Sequence, residues 1–306
     1  MHFYDIDGFR EAAKQAGHEN TSEHYLKACA ENDVVFSIAM GNAEGEESIY
    51  GGSTPRVPDL AGKFNYKEYN QPRTIGYCCG VKSDELTQDN AEKTALEFER
   101  YVNTPQCVGI KLYPGYRHVY VYDSVHNPLY ELARKYDLPV VIHTGDTSNT
   151  TAILKYAHPL TVDEIAVRYP DVRFVIAHCG NPWLVDAVEV AAKNDNVFLE
   201  LSGLAFGNFE AESFYAKNKA YYDYLRMWLD YFDRYDKVIY GTDWPLVNIK
   251  NYIALMKKVI PEEWHQAFFY DNALRISLKS KTYYKKTPSV CLVVFRYITL
   301  VVQSSI

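Results

Sequence analysis

The sequence predicts an α/β fold in which a parallel sheet is covered by helices and closed into a barrel. Three observations predict it. Short apolar runs recur along the chain, segments of helical period separate them, and polar residues able to do chemistry sit where the runs end.

Seven runs read as strands: 34–39, 74–81, 108–112, 138–143, 173–178, 196–201 and 237–240. They are β-branched and continuous rather than alternating, the pattern of strands buried on both faces. Helices are predicted between them at 127–136, 161–169, 183–193, 221–232 and 249–259. In the first of these, Leu129, Leu132 and Ala133 share one face. Thr161-x-x-Glu164 predicts a capping box. Pro139, Pro170 and Pro261 stand at helix exits or strand entries, where proline is tolerated. Residues 41–72 form a longer insertion rich in glycine and proline, the signature of a functional or disordered loop. An open doubly wound sheet fits the same strand count, and the placement of the polar residues favours closure.

Composition bounds the rest. The chain has 306 residues, 47% hydrophobic and 23% charged, which excludes fibrous and low-complexity classes. A net charge of −7 argues against a nucleic-acid backbone or an anionic membrane as partner. The six cysteines form no Cys-x-x-Cys pair, so neither a zinc ribbon nor a thioredoxin-like site is expected. No apolar leader opens the chain, and a cytoplasmic protein with reduced thiols is the expectation. The longest apolar stretch, 290–302, is interrupted by Arg296 and too short to span a bilayer.

Four runs end in residues suited to a metal. Lys111, His143 and His178 close three of them, and Asp243 follows the last, at separations of 32, 35 and 65 residues. The first two steps match one βα unit and the third matches two. All four are therefore expected at the C-terminal rim of one sheet, which in a barrel converges on a single mouth. Neutral imidazoles and carboxylates in such a place can ligate a divalent metal.

At these residues the chain resembles the amidohydrolase superfamily, in particular the group that includes decarboxylases of the aminocarboxymuconate-semialdehyde type. The matching segments are Val108-Gly109-Ile110-Lys111-Leu112-Tyr113-Pro114, Val140-Val141-Ile142-His143-Thr144-Gly145, Phe174-Val175-Ile176-Ala177-His178-Cys179-Gly180 and Tyr240-Gly241-Thr242-Asp243-Trp244-Pro245. Phe269-Tyr270-Asp271-Asn272-Ala273 is similar to the family's closing helix. The resemblance implies a (β/α)8 TIM barrel with a mono- or binuclear centre. It implies His143 and His178 as ligands on the fifth and sixth strands. Asp243 matches the eighth-strand aspartate that binds metal and moves protons. Lys111 aligns with a fourth-strand lysine that is carboxylated and bridges two metals in some members. Gly-x-Lys-Leu also occurs in single-metal relatives, and the other reading of Lys111 is an ion pair with a carboxylate or substrate. Zinc is the expected metal, with manganese as the alternative. Asp243 is the expected catalytic residue, and its other reading is an N-cap.

Two departures stand out. The family's first strand carries His-x-His, whereas here only Met1-His2-Phe3 precedes Tyr4. His2 aligns with the second histidine, so a truncated first strand and a weakened metal site are expected. The barrel is assigned to residues 1–276, and 277–306 reads as an atypical tail with a candidate strand at 290–302.

Other rim residues are candidates for substrate contact. Arg117 could clamp a carboxylate, and Trp183 and Trp244 could wall the pocket. Glu200 and Ser202 end a run and could reach the mouth or orient a neighbour. His158 is assigned to the surface and Cys179 to buried filler. The expected activity is hydrolysis of a small amide, lactone or cyclic substrate by a metal-activated water. The alternatives are metal-dependent decarboxylation of an unsaturated or aromatic acid, and a non-catalytic barrel. The expected partner is a small-molecule substrate, with a homodimer as a compatible assembly.

Overall fold

The computed structural model describes residue 2 and residues 7–41 and 75–277. The expected tail beyond Ser277, its strand at 290–302, Cys291 and most of the 41–72 insertion lie outside the described residues.

Seven parallel strands form one sheet in sequence order. They are β1 Ser37–Met40, β2 Ile75–Gly80, β3 Cys107–Leu112, β4 Val140–Ile142, β5 Phe174–Ile176, β6 Val197–Glu200 and β7 Val238–Ile239. Every expected run overlaps one of them, with β1 and β3 each reaching one residue beyond its run. Among the described residues β1 and β7 share no pairing, so the sheet is a curled, incomplete barrel. The middle strands are closely in register, with Ile142 opposite Ile176 and Leu199 opposite Val238. Their C-terminal ends therefore share one rim.

The helices are α1 Asp7–Gln15, α2 Ser22–Glu31, α3 Ala91–Val102, α4 Asn127–Lys135, α5 Thr161–Arg168, α6 Leu184–Lys193, α7 Ala211–Lys217, α8 Lys219–Phe232, α9 Ile249–Val259 and α10 Asn272–Ile276. A π-helical turn, Ala267–Asp271, leads into α10. The capping box does not form. Leu160 takes the N-cap position of α5 without a side-chain bond, and Thr161 Oγ1 donates instead to the His158 carbonyl at 2.7 Å. Glu164 pairs with Arg168 one turn on. No described helix is long and apolar enough to cross a membrane.

The core lies in two places. The larger cluster packs the outer face of the sheet against the helices, with Ile110, Leu112, Val140, Ile142, Phe174 and Ile176 pointing outward. A smaller cluster inside the curl holds Cys78, Val108, Val141, Val175, Ala177 and Phe198. A filled barrel has no room at its centre. Here a cavity of about 680 Å3 runs through the interior, from the rim down to Phe268, Ile276 and Ser277.

Candidate metal centre

Side-chain direction at the rim follows from the pleat and from where the pleat breaks. On β4, Val140 and Ile142 face the helices while Val141 and His143 face the cavity, as strict alternation requires. On β3 a register irregularity opposite Tyr77 and Cys78 resets the alternation. Val108 and Lys111, three residues apart, consequently both line the cavity while Ile110 packs outside.

His178 would point outward if β5 simply continued. It does not, because His178 and Cys179 take left-handed backbone angles, with φ of 59° and 48°. Such a conformation is unfavourable for a side-chain-bearing residue, and it swings the His178 ring to the cavity wall. Asp243, after β7, has the same left-handed geometry at φ 59°. Its other reading as an N-cap is set aside, because Asn248 caps α9 by accepting from the Asn251 amide at 3.3 Å.

The cavity thus gathers His2, Lys111, His143, His178 and Asp243. His2 Nε2 lies 3.1 Å from Asp243 Oδ1, and the His2 amide donates to the Trp244 carbonyl at 2.7 Å. The His143 and His178 rings meet edge to face, with centroids 5.1 Å apart. His143 Nε2 bonds the Asp146 carbonyl at 3.0 Å. Lys111 is almost wholly buried and its ammonium stands 5.0 Å from the centre of the Tyr113 ring.

Electrostatics separates these groups. Burial pushes the His143 imidazole well below its ordinary value, and the neighbouring His178 and Lys111 add to it. It is therefore neutral, the form that ligates metals. Burial alone would raise the Asp243 carboxyl, yet the hydrogen bond with His2 and the fields of His178, His2 and the chain amino group hold it far below the usual range. Asp243 is therefore an anion and His143 a neutral imidazole, both lining the one cavity.

The donor chemistry suits a divalent metal. His2 Nδ1 supports the fit, being buried with no hydrogen-bond partner among the described residues. Among those residues, however, no three His, Cys, Asp or Glu side chains are drawn together closely enough to hold an ion. The donors share one wall, with Asp243 bonded to His2 and His143 bonded to a carbonyl.

The other candidates lie elsewhere. Arg117 Nη1 donates to Asp84 Oδ2 at 3.3 Å, and Arg117 does not line the cavity. Trp183 packs beside His158, with centroids 4.8 Å apart. Trp244 is fully buried and stacked on His18 at 3.9 Å. Neither tryptophan lines the cavity. His158 is half-buried, with Asp186 3.9 Å away. Burial pushes the Cys179 thiol up to about 12, consistent with an inert filler. Glu200 and Ser202 do line the cavity, behind His178. Tyr116, 4.9 Å from the His143 ring, is a wall residue that nothing in its local sequence distinguishes from the other 26 tyrosines.

An amidohydrolase family model matches residues 85–276. No curated protein sequence matches the chain. The fold is similar to an uncharacterised TIM-barrel protein, Bb4693, from Bordetella bronchiseptica, with TM-score 0.61 and 17% identity over 90% of this chain and 91% of that one. It is also similar to 5-carboxyvanillate decarboxylase LigW from Sphingomonas paucimobilis, with TM-score 0.58 and 14% identity over 83% and 82% of the two chains. A 5-carboxyvanillate decarboxylase from Novosphingobium aromaticivorans, complexed with manganese and a nitrobenzoic acid, gives TM-score 0.56 and 13% identity over 83% and 79%. These likenesses show the fold, a TIM barrel of which seven strands stand among the described residues.

Proposed function

The chain belongs to the amidohydrolase family, and from that premise we propose that it is a metal-dependent hydrolase of a small amide, lactone or cyclic substrate. The observation that carries this reading is the shared cavity wall, where the Asp243 carboxylate and the His143 and His178 rings face one space. His2, His143, His178 and Asp243 would hold the ion, with Lys111 beside them. Zinc is proposed, with manganese as the alternative. A divalent ion bound there lowers the pKa of its water toward neutrality and polarises a carbonyl.

The protein's own groups supply the remaining work. Asp243 stays ionised and its carboxylate oxygens can take a proton from the attacking water and return it to the leaving group. His143, held neutral, adds no positive charge that would repel a cation. Lys111, buried at the rim, offers its ammonium to a substrate oxygen. The apolar wall formed by Val108, Val141, Val175 and Phe268 keeps bulk water from the body of the substrate.

One observation favours a second reading, decarboxylation of an unsaturated or aromatic acid. The cavity is largely apolar and carries the Lys111 cation near its polar end, a combination suited to a flat acid. A substrate panel scored separately for carbon dioxide release and for water consumption tests the choice. Release of carbon dioxide from aromatic acids, with lactones and amides untouched, would replace hydrolysis by decarboxylation. No turnover of either class, with the Asp243→Asn protein identical to wild type, would defeat both.

A further inference from the structure

His178 is held from behind by Glu200, the last residue of β6, and by Ser202 just beyond it. Its Nδ1 lies 3.0 Å from Ser202 Oγ and 3.2 Å from the Ser202 carbonyl oxygen. Ser202 Oγ in turn donates to Glu200 Oε2 at 2.8 Å. The same carboxylate oxygen accepts the His178 backbone amide at 3.2 Å. Glu200 thus grips both the left-handed backbone of His178 and the hydroxyl that faces its ring.

The proton count in this chain of contacts has one solution. A serine hydroxyl carries a single proton, and here it goes to the carboxylate. Toward His178 the Ser202 oxygen can then only accept. The Ser202 carbonyl can only accept as well. Both neighbours of Nδ1 are acceptors, so Nδ1 carries the ring proton and Nε2 keeps its lone pair.

We infer that Glu200 and Ser202 are positioning residues that lock His178 as the Nδ1–H tautomer, with an unprotonated Nε2 available on the cavity side. The arrangement is close-packed around two glycines. A side chain at Gly203 would put a carbon 2.8 Å from His178 Nδ1, and one at Gly241 would fall 1.5 Å from Glu200 Oε1. Neither position tolerates even alanine without moving the clamp. The pairing links the end of β6 to the turn after β5, so it depends on the sheet and not on a local motif.

The consequence rests on the proposed use of His178 in the cavity. A ligand or base must present a lone pair, and a ring free to exchange tautomers presents it only part of the time. The lock therefore raises the affinity for a cation, an effect of outer-shell partners that commonly spans about tenfold to a hundredfold.

Nitrogen-15 NMR of the metal-free, histidine-labelled protein at mildly alkaline pH reads the tautomer directly, with His178 assigned by its loss in His178→Gln. The expected wild-type spectrum has a protonated Nδ1 and an unprotonated Nε2. In Glu200→Ala the hydroxyl is free to turn and donate to Nδ1, so a mixture of tautomers is expected. In Glu200→Gln the amide oxygen accepts as the carboxylate did, and the wild-type pattern should return. Manganese titration of the same proteins should show affinity reduced about tenfold or more in Glu200→Ala and largely restored in Glu200→Gln. A wild-type His178 protonated on Nε2, or present as a mixture, overturns the inference without need of any variant. An unchanged tautomer in a folded Glu200→Ala protein overturns the role of Glu200. If the tautomers behave as expected while neither manganese nor zinc binds, the metal reading fails and the lock stands.

Discussion

His2 Nε2 sits 3.1 Å from Asp243 Oδ1, while the His2 amide bonds the Trp244 carbonyl next to it at 2.7 Å. A residue at the start of the chain is thereby tied by ring and backbone to the catalytic candidate 241 positions later. The sequence alone led to the expectation of a truncated first strand and a weakened site, and these two bonds hold His2 against Asp243 and Trp244. His2→Ala should therefore act on the site and not only on the terminus. Manganese affinity measured by calorimetry is expected to fall about tenfold or more. A purely ornamental His2 would leave it unchanged.

Gly241 is the tightest spot in the wall. A methyl there would collide with the Glu200 carboxylate. Gly241→Ala is expected to lower unfolding free energy by about 1–3 kcal/mol, the usual cost of forcing volume into a packed site. Urea denaturation of the two proteins measures it. Equal midpoints would mean that the Glu200 carboxylate swings aside and is not held in place.

His126 is buried, with Nε2 2.9 Å from Ser83 Oγ, and burial pulls its imidazole down to about 4. A histidine lowered in the folded state takes up its proton more readily when unfolded. Stability from this group is present above about pH 6.5 and is lost as pH falls toward 4, by about 3 kcal/mol in all. Denaturation curves for wild type and His126→Leu across that window should converge as the medium is acidified. Parallel curves would contradict the assignment.

Lys237 is nearly inaccessible, and its ammonium donates to the Ala191 and Asn194 carbonyls at 2.6 and 2.8 Å. It satisfies the C-terminal end of α6 from below the sheet. Lys237→Met keeps the length but leaves those carbonyls without this donor. A loss of about 2–3 kcal/mol is expected in chemical denaturation, in line with charged hydrogen bonds.

Much of this was legible in the sequence. Each of the seven strands overlaps one of the apolar runs, because strands covered on both faces must be continuously apolar. His143 could be placed by alternation alone. His178 could not, since its direction depends on a left-handed turn that no residue type announces; alternation would have sent it outward. Lys111 reaches the cavity only through the irregularity between β2 and β3. Arg117 was singled out as a carboxylate clamp, and it meets a carboxylate of its own chain, Asp84, which lies 33 positions earlier. The α1, α2, α3 and α7 helices went unread, although α1 and α3 carry a helical apolar stripe as clear as that of the helices that were read. The Glu200–Ser202–His178 contact joins two strands, and only the folded sheet reveals it.

Titration of the metal-free protein with zinc and with manganese, in wild type, His143→Ala and Asp243→Asn, tests the central claim most directly. The account expects about one ion or two bound by wild type, binding weakened by at least about tenfold in both variants, and turnover in the Asp243→Asn protein reduced about a hundredfold or more. Equal affinity in all three proteins, or no binding by wild type at either metal, would contradict it.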